Sequence, residues 1–183
     1  MFTKPNAIVY VRRTGLIVAG RRIAPARLTF PADVLANMEV LAPDKFTGGC
    51  QQFFKSHGVH GKRALVVLDG SIVFDKNIGL DKSGKPDALA DAFLAAMPFE
   101  PGKRALLTLR QSDALQLYAT NAELYQCLVQ ALRGAGAAKV TAVTPAPAYD
   151  LGQDKPQLAA AIGQFINDTS VRAQADFLGT TPA

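Results

Sequence analysis

Two β-branched runs near the start of the chain, "AIVYVRR" at residues 7–13 and "LIVAGRR" at residues 16–22, have only Thr14-Gly15 between them. Such runs favour a pleated, half-buried surface. So short a connection implies an antiparallel hairpin, with Gly15 supplying the unusual backbone angle of a tight turn. "APARLTFP", residues 24–31, reads as a third extended piece. Pro25 confines it to an edge or a strand start, because proline has no N–H to give to a ladder. A chain that opens this way must build a sheet first and cover it afterwards.

The cover follows at helical spacing. Phe46, Cys50, Phe53, Phe54 and His57 form one stripe across residues 43–57, despite Gly48-Gly49, which either allow close packing or mark a later helix start. "RALVVLD" and "SIVFDKNIG" read as two strands of a hairpin around Asp69-Gly70-Ser71. Pro86 opens the next helix, with Leu89, Phe93, Ala96 and Met97 on one face. "RALLTLRQ" and "ALQLYATN" pair around Ser112-Asp113. Asn121 caps the helix that carries Leu124, Leu128, Ala131 and Leu132, and Gly134 or Gly136 ends it. "AKVTAVTPAP" is a last strand. Hairpins alternating with helices predict an α+β fold, a mainly antiparallel sheet with helices packed on one face.

The expected division is a domain over residues 1–150 and, after a Gly-Asp-Pro-containing linker, a C-terminal helix and mobile tail over 151–183. The helix is amphipathic through Leu158, Ile162, Phe165 and Ile166. The tail has little to bury, although Phe177 and Leu178 are available to dock on a partner.

Charge divides the chain more sharply than hydropathy. Residues 1–32 hold Lys4, Arg12, Arg13, Arg21, Arg22 and Arg27 and no acid, whereas the remainder has 14 basic and 15 acidic residues. The basic start suits an acidic protein, anionic lipid heads or nucleic acid, and charge alone does not choose among them. It carries one aromatic, Tyr10, where single-strand binding modules stack several, which disfavours nucleic acid. Cys50 and Cys127 read as buried free thiols. No run is long enough to cross a bilayer and no leader is evident, so a cytoplasmic location is expected.

Little chemistry stands out. His57 and His60 have no further ligands near them in sequence, short of the four a zinc site takes. Cys50 lies seven residues from His57, but on a phenylalanine-rich face where a thiol stays protonated. "LDKSGKPD", residues 80–87, has the Gly79 to Gly84-Lys85 spacing of a phosphate loop, with Pro86 where that loop needs a Ser or Thr for magnesium. No catalytic, metal or cofactor-binding residue is assigned on this reading.

From about Phe30 to Tyr149, "KFTGGCQQFFKSHGVHGKRALVVLDGSIVFDK", "PDALADAFLAAMPFEPG" and "LQLYATNAELYQCLVQALRGAGAAKVTAVTPAPAY" follow one another. That order resembles the small SHS2-type domain of the actin-like pilus assembly proteins of the PilM type, and of the GspL-type cytoplasmic domains of type II secretion. Ala119-Thr120, Gly136, Pro145 and Tyr149, in that order, carry most of it. The resemblance implies that residues 1–150 form an SHS2-like, reduced actin-like domain in which "LDGS" is a hairpin turn. It also sets Arg12, Arg13 and Thr14 where a first phosphate loop would need an acid and a glycine. It implies a non-enzymatic, cofactor-free cytoplasmic scaffold at the inner face of the membrane. Its partners would be pilus or secretion platform membrane proteins and an assembly ATPase, with membrane contact only through those partners or a C-terminal extension. The candidate partner-binding residues are Arg12, Arg13, Arg21 and Arg22. Two alternatives stay open: a nucleotide-binding actin-like ATPase fragment using Gly84, Lys85 and the Asp69 turn, and a nucleic-acid binder using the same arginines.

Overall fold

The computed structural model of the chain describes residues 4–79, 85–149, 158–180 and 182. β1 (Ala7–Arg12) and β2 (Gly15–Gly20) form the expected hairpin, with Arg12 opposite Gly15. Its two turn residues are Arg13 and Thr14. Gly15 is not in the left-handed region; what demands glycine is that a Cβ there would collide with the Leu28 carbonyl oxygen. β3 (Ile23–Thr29) returns along β2 after a turn in which Arg22 takes φ 62°. β3 is an outer strand, where Pro25 costs the sheet no hydrogen bond.

A small hairpin of β4 (Leu35–Ala36) and β5 (Glu39–Val40) turns through Asn37 and Met38, both at positive φ, and leads into α1 (Pro43–Ser56). α1 runs through Gly48 and Gly49, and both face open space. Neither reason expected for those glycines applies: they allow no close approach, and the helix does not begin after them.

β6 (Arg63–Leu68) enters the sheet between β1 and β10 (Lys139–Pro145), parallel to both. The strand order is β10-β6-β1-β2-β3. Between β6 and β10 lie β7 (Phe74–Gly79), α2 (Pro86–Ala95), β8 (Arg104–Arg110), β9 (Ala114–Asn121) and α3 (Ala122–Gly134). β7, β9 and β8 make a second, antiparallel sheet in that order, with Ala90 of α2 packed on Leu115 and Leu117. β6 and β7 are therefore not a hairpin. The reason lies in their burial: Ala64–Leu68 are all fully buried, as a central strand requires, whereas Asp75, Lys76 and Asn77 are exposed. The class is α+β with mainly antiparallel pairing.

α1 and α3 lie together on one face of the large sheet, where Phe46, Cys50 and Phe54 meet Leu124, Leu128 and Leu132 over Val9, Val66 and Leu68. Asn121 caps α3 as expected, accepting from Glu123 N–H at 2.9 Å, while its amide donates to the Met38 carbonyl. Gly136, at φ 81°, closes the helix, and Ala137 N–H reaches back to the Leu132 carbonyl. α4 (Leu158–Asn167) covers the opposite sheet face, setting Ala161 and Phe165 against Ile8, Tyr10, Leu65 and Val67. The division expected at residue 150 and the linker fall outside the described residues.

Over residues 169–180, the segment expected to be a mobile tail is docked. α5 (Thr169–Gln174) and a short turn at Phe177–Gly179 follow α4, and Ala175 and Phe177 are fully buried. Phe177 stacks on Tyr125 of α3 at 5.8 Å, and Asp168 and Asp176 each cap the turn that follows them. Buried Arg172 donates to the Phe165 and Ile166 carbonyls at the end of α4.

Candidate functional site

β1, β6 and β10 run in the same direction, so their carboxyl ends share one rim of the large sheet. Open sheets with parallel strands bind ligands at such rims. Three turns meet there: Arg13-Thr14, Asp69–Ser71 and Ala146–Ala148. "LDGS" is thus a rim turn at the end of a central strand, not the hairpin of a small domain. Asp69 caps a short 3-10 turn over Gly70–Ile72, and a Cβ on Gly70 would lie 3.6 Å from the Pro147 ring.

The polar groups of this rim are spent on one another. The Tyr10 hydroxyl donates to the Asp69 carboxylate. Ser71 N–H donates to Asp69 Oδ1 at 2.9 Å, and Arg13 N–H approaches Ser71 Oγ at 3.4 Å. The Arg12 guanidinium lies 5.3 Å from the centre of the Tyr10 ring, and Phe165 stacks with the same ring at 6.0 Å. Burial works against the Asp69 charge, but the hydrogen bonds from Tyr10 and Ser71 and the nearby Arg12 charge outweigh it and hold the carboxyl below its ordinary range. Burial, and then the Asp69 carboxylate, push the Tyr10 phenol far above its own. Near neutral pH the pair is a phenol and a carboxylate, whose hydrogen bond ties β1 to the turn that follows β6.

The four candidate arginines do not form one patch. Arg12 and Arg13 stand at this rim, while Arg21 and Arg22 sit in the β2–β3 turn at the far end, where Arg21 N–H donates to the Asn6 carbonyl. The length of β2 separates the pairs by roughly 20 Å. Arg27 of β3, directly opposite Ile17, lies between them and is not one of the four candidates. Its signal was present: in a strand whose other side chains are small or apolar, it is the one cation.

Elsewhere, Cys50 and Cys127 are free and buried, and burial pushes the Cys50 thiol up to about 12. His57 turns back to its own helix, with Nδ1 2.8 Å from the Phe53 carbonyl. Among the described residues, no group of three or more His, Cys, Asp or Glu gathers as a metal site. The phosphate-loop echo at residues 80–84 lies outside the described residues.

No protein-family model matches the sequence, and no curated protein matches it. Solved structures do. The cytoplasmic domain of EpsL, an inner membrane component of the type II secretion system of Vibrio cholerae, superposes with a TM-score of 0.50 at 10% identity. The match covers 76% of this chain and 56% of that one. The fold resembles cytoplasmic EpsL. A PilM-PilN type IV pilus biogenesis complex matches 82% of this chain and 50% of that one, at 18% identity and a TM-score of 0.48. A Bacteroides thetaiotaomicron protein with an actin-like ATPase fold and unknown function matches 71% and 49%, at 9% identity and a TM-score of 0.39. The chain spans about half the length of each of these structures. The likeness to EpsL is one of fold, and it falls on the GspL-type cytoplasmic domains to which the sequence motifs pointed. As for the membrane, no helix among the described residues is long and apolar enough to cross one.

Proposed function

We propose that the protein is a non-catalytic adaptor of a type IV pilus or type II secretion inner-membrane platform, held at the inner face of the membrane through its partners. The observation that carries this reading is the state of the rim. Where a sheet of this topology would receive a ligand, Asp69 is occupied by Tyr10 and Ser71 and the first turn presents Arg12 and Arg13. An actin-like nucleotide site needs a free acid and glycines there to hold magnesium and phosphate, so this rim suits protein contact better. The fold likeness to cytoplasmic EpsL supports the same reading. In it, the partners are membrane-anchored platform subunits and an assembly ATPase, and the chain joins them.

Calorimetric titration tests the proposal, using Mg-ATP and, in the same buffer, the cytoplasmic N-terminal segments of platform membrane subunits. Saturable binding of a segment with no heat from nucleotide is expected. Nucleotide binding in the low micromolar range, with no segment bound, would overturn the proposal and return attention to Asp69, Gly84 and Lys85.

A further inference from the structure

The two outer strands of the large sheet are treated differently by the chain. Along β10 the C-terminal segment closes the edge: Val143 N–H donates to Asp176 Oδ1 at 2.8 Å, and Phe177 buries itself beside it. Along β3, among the described residues, nothing but β2 pairs with the strand, and Ala24, Pro25, Arg27 and Thr29 are exposed. The register slips between Val18 and Gly20, so the regular ladder of β3 is Ala26–Thr29.

Apart from the Asp69 carboxylate, which the Arg12 charge already faces, the charge flanking that open ladder is positive. Arg12 and Arg13 flank one end, Arg21 and Arg22 the other, and Arg27 stands within it. All five are exposed, and the ion pairs among the described residues lie elsewhere. Arg12 and Arg27 line a hollow of about 100 Å³ together with Thr14, Ile17 and Thr29. A second copy of the chain is a poor occupant, because edge-to-edge pairing would bring the same arginines together, and like charges on paired strands repel. Nucleic acid fits the charge but cannot supply the alternating N–H and C=O groups of a ladder.

We propose that the outer side of β3, over Ala26–Thr29, takes up an extended acidic segment of a partner protein as a sixth strand, with its carboxylates set against Arg27 and Arg12. Main-chain hydrogen bonds would give the affinity and the arginines the selection. The inference rests on the adaptor reading and deepens it by naming the edge at which a partner docks.

The test uses a labelled peptide of alternating glutamate and valine, which as a strand places every carboxylate on one face. The comparison probes are the lysine–valine peptide, a fully N-methylated glutamate–valine peptide, and oligothymidylate. Saturable binding of the first peptide is expected, with slowed amide exchange within residues 26–29. Arg27→Glu and the milder Arg27→Gln should each weaken it about tenfold or more, and neither the lysine nor the methylated peptide should bind. Binding that ignores both Arg27 substitutions, tolerates N-methylation, or leaves those amides unprotected would overturn the proposal. So would oligothymidylate that competes and binds more tightly. A platform segment that binds equally well to Arg27→Glu refutes the β3 assignment and leaves the adaptor reading standing. Peptide binding at β3 with no platform segment bound does the reverse.

Discussion

The carboxylate of Asp176 accepts hydrogen bonds from the Val143 N–H at 2.8 Å and the Leu178 N–H at 3.0 Å, so one side chain holds the C-terminal turn against the edge of β10. Burial raises its pKa above the ordinary carboxylate range, with the two hydrogen bonds offsetting part of the effect. A carboxyl raised in this way contributes stability that is full below its unfolded pKa and is lost as pH rises through the folded value. Asp176→Asn keeps an acceptor oxygen and removes the buried charge, so its stability relative to the parent should grow from about pH 3 to about pH 7. Asp176→Ala leaves the Val143 N–H unpaired and should lose about 1–3 kcal/mol at neutral pH. Urea melts at both pH values read the result, and a constant gap between Asn variant and parent would refute the buried-charge account.

Asp69, in its pair with Tyr10, carries the opposite sign. The Asp69 carboxyl is held below its ordinary range, so its contribution is present above the unfolded pKa and is lost as pH falls through the folded one. Tyr10→Phe removes a donor to a charged acceptor. It should cost about 1–2 kcal/mol at neutral pH and make the loss of stability on acidification shallower. Thermal melts across the acid range measure both; an unchanged acid limb would mean that the hydrogen bond does not stabilise the carboxylate.

Gly48 and Gly49 sit inside α1, and a methyl group added at either would have nothing within 4 Å. Glycine costs a helix interior about 0.5–1 kcal/mol relative to alanine. Gly48→Ala and Gly49→Ala should therefore each stabilise the protein by about that amount, seen as a higher denaturant midpoint with an unchanged slope. Destabilisation by either would show that the exposed face of α1 has a constraint not visible in its packing.

Gly136 is a glycine of the other kind. It holds φ 81° at the end of α3, and a Cβ there would lie 2.5 Å from a ring carbon of His60. Gly136→Ala should cost about 1–2 kcal/mol from the backbone alone, and pairing it with His60→Ala should recover only the steric share. Full recovery in the double variant would assign the whole effect to the imidazole.

What the sequence disclosed was mostly local. The β1–β2 hairpin, the Phe46–Cys50–Phe54 stripe, the Asn121 cap and the closing Gly136 depend on neighbours a few residues away, and their chemistry is written in order along the chain. Sheet membership is different. "RALVVL" and "FDKNIG" both read as strands, and only the continuous apolar character of the first hinted that it would lie buried on both faces while the second joined another sheet. The lock between Tyr10 and Asp69 spans 59 residues, so neither side chain announced the other. Arg27 reads in the sequence only as charge, because which strand of a meander is outermost is decided by what joins the other side. Phe177 looked isolated in a polar tail, since its partner Tyr125 comes from α3.

The placement of β6 between β1 and β10 also sets an order of events on the ribosome. One flank of β6 is satisfied by a strand made long before it, whereas the other waits for β10; Ala64 and Thr141, bonded across that second seam, are 77 residues apart. At about 5–20 residues per second, the seam stays open for roughly 4–15 s after β6 is made, while the whole second sheet and α3 are synthesised. A nascent chain therefore presents a strand destined for full burial half-zipped during that interval, and that is when a chaperone that reads extended apolar segments would have most to hold.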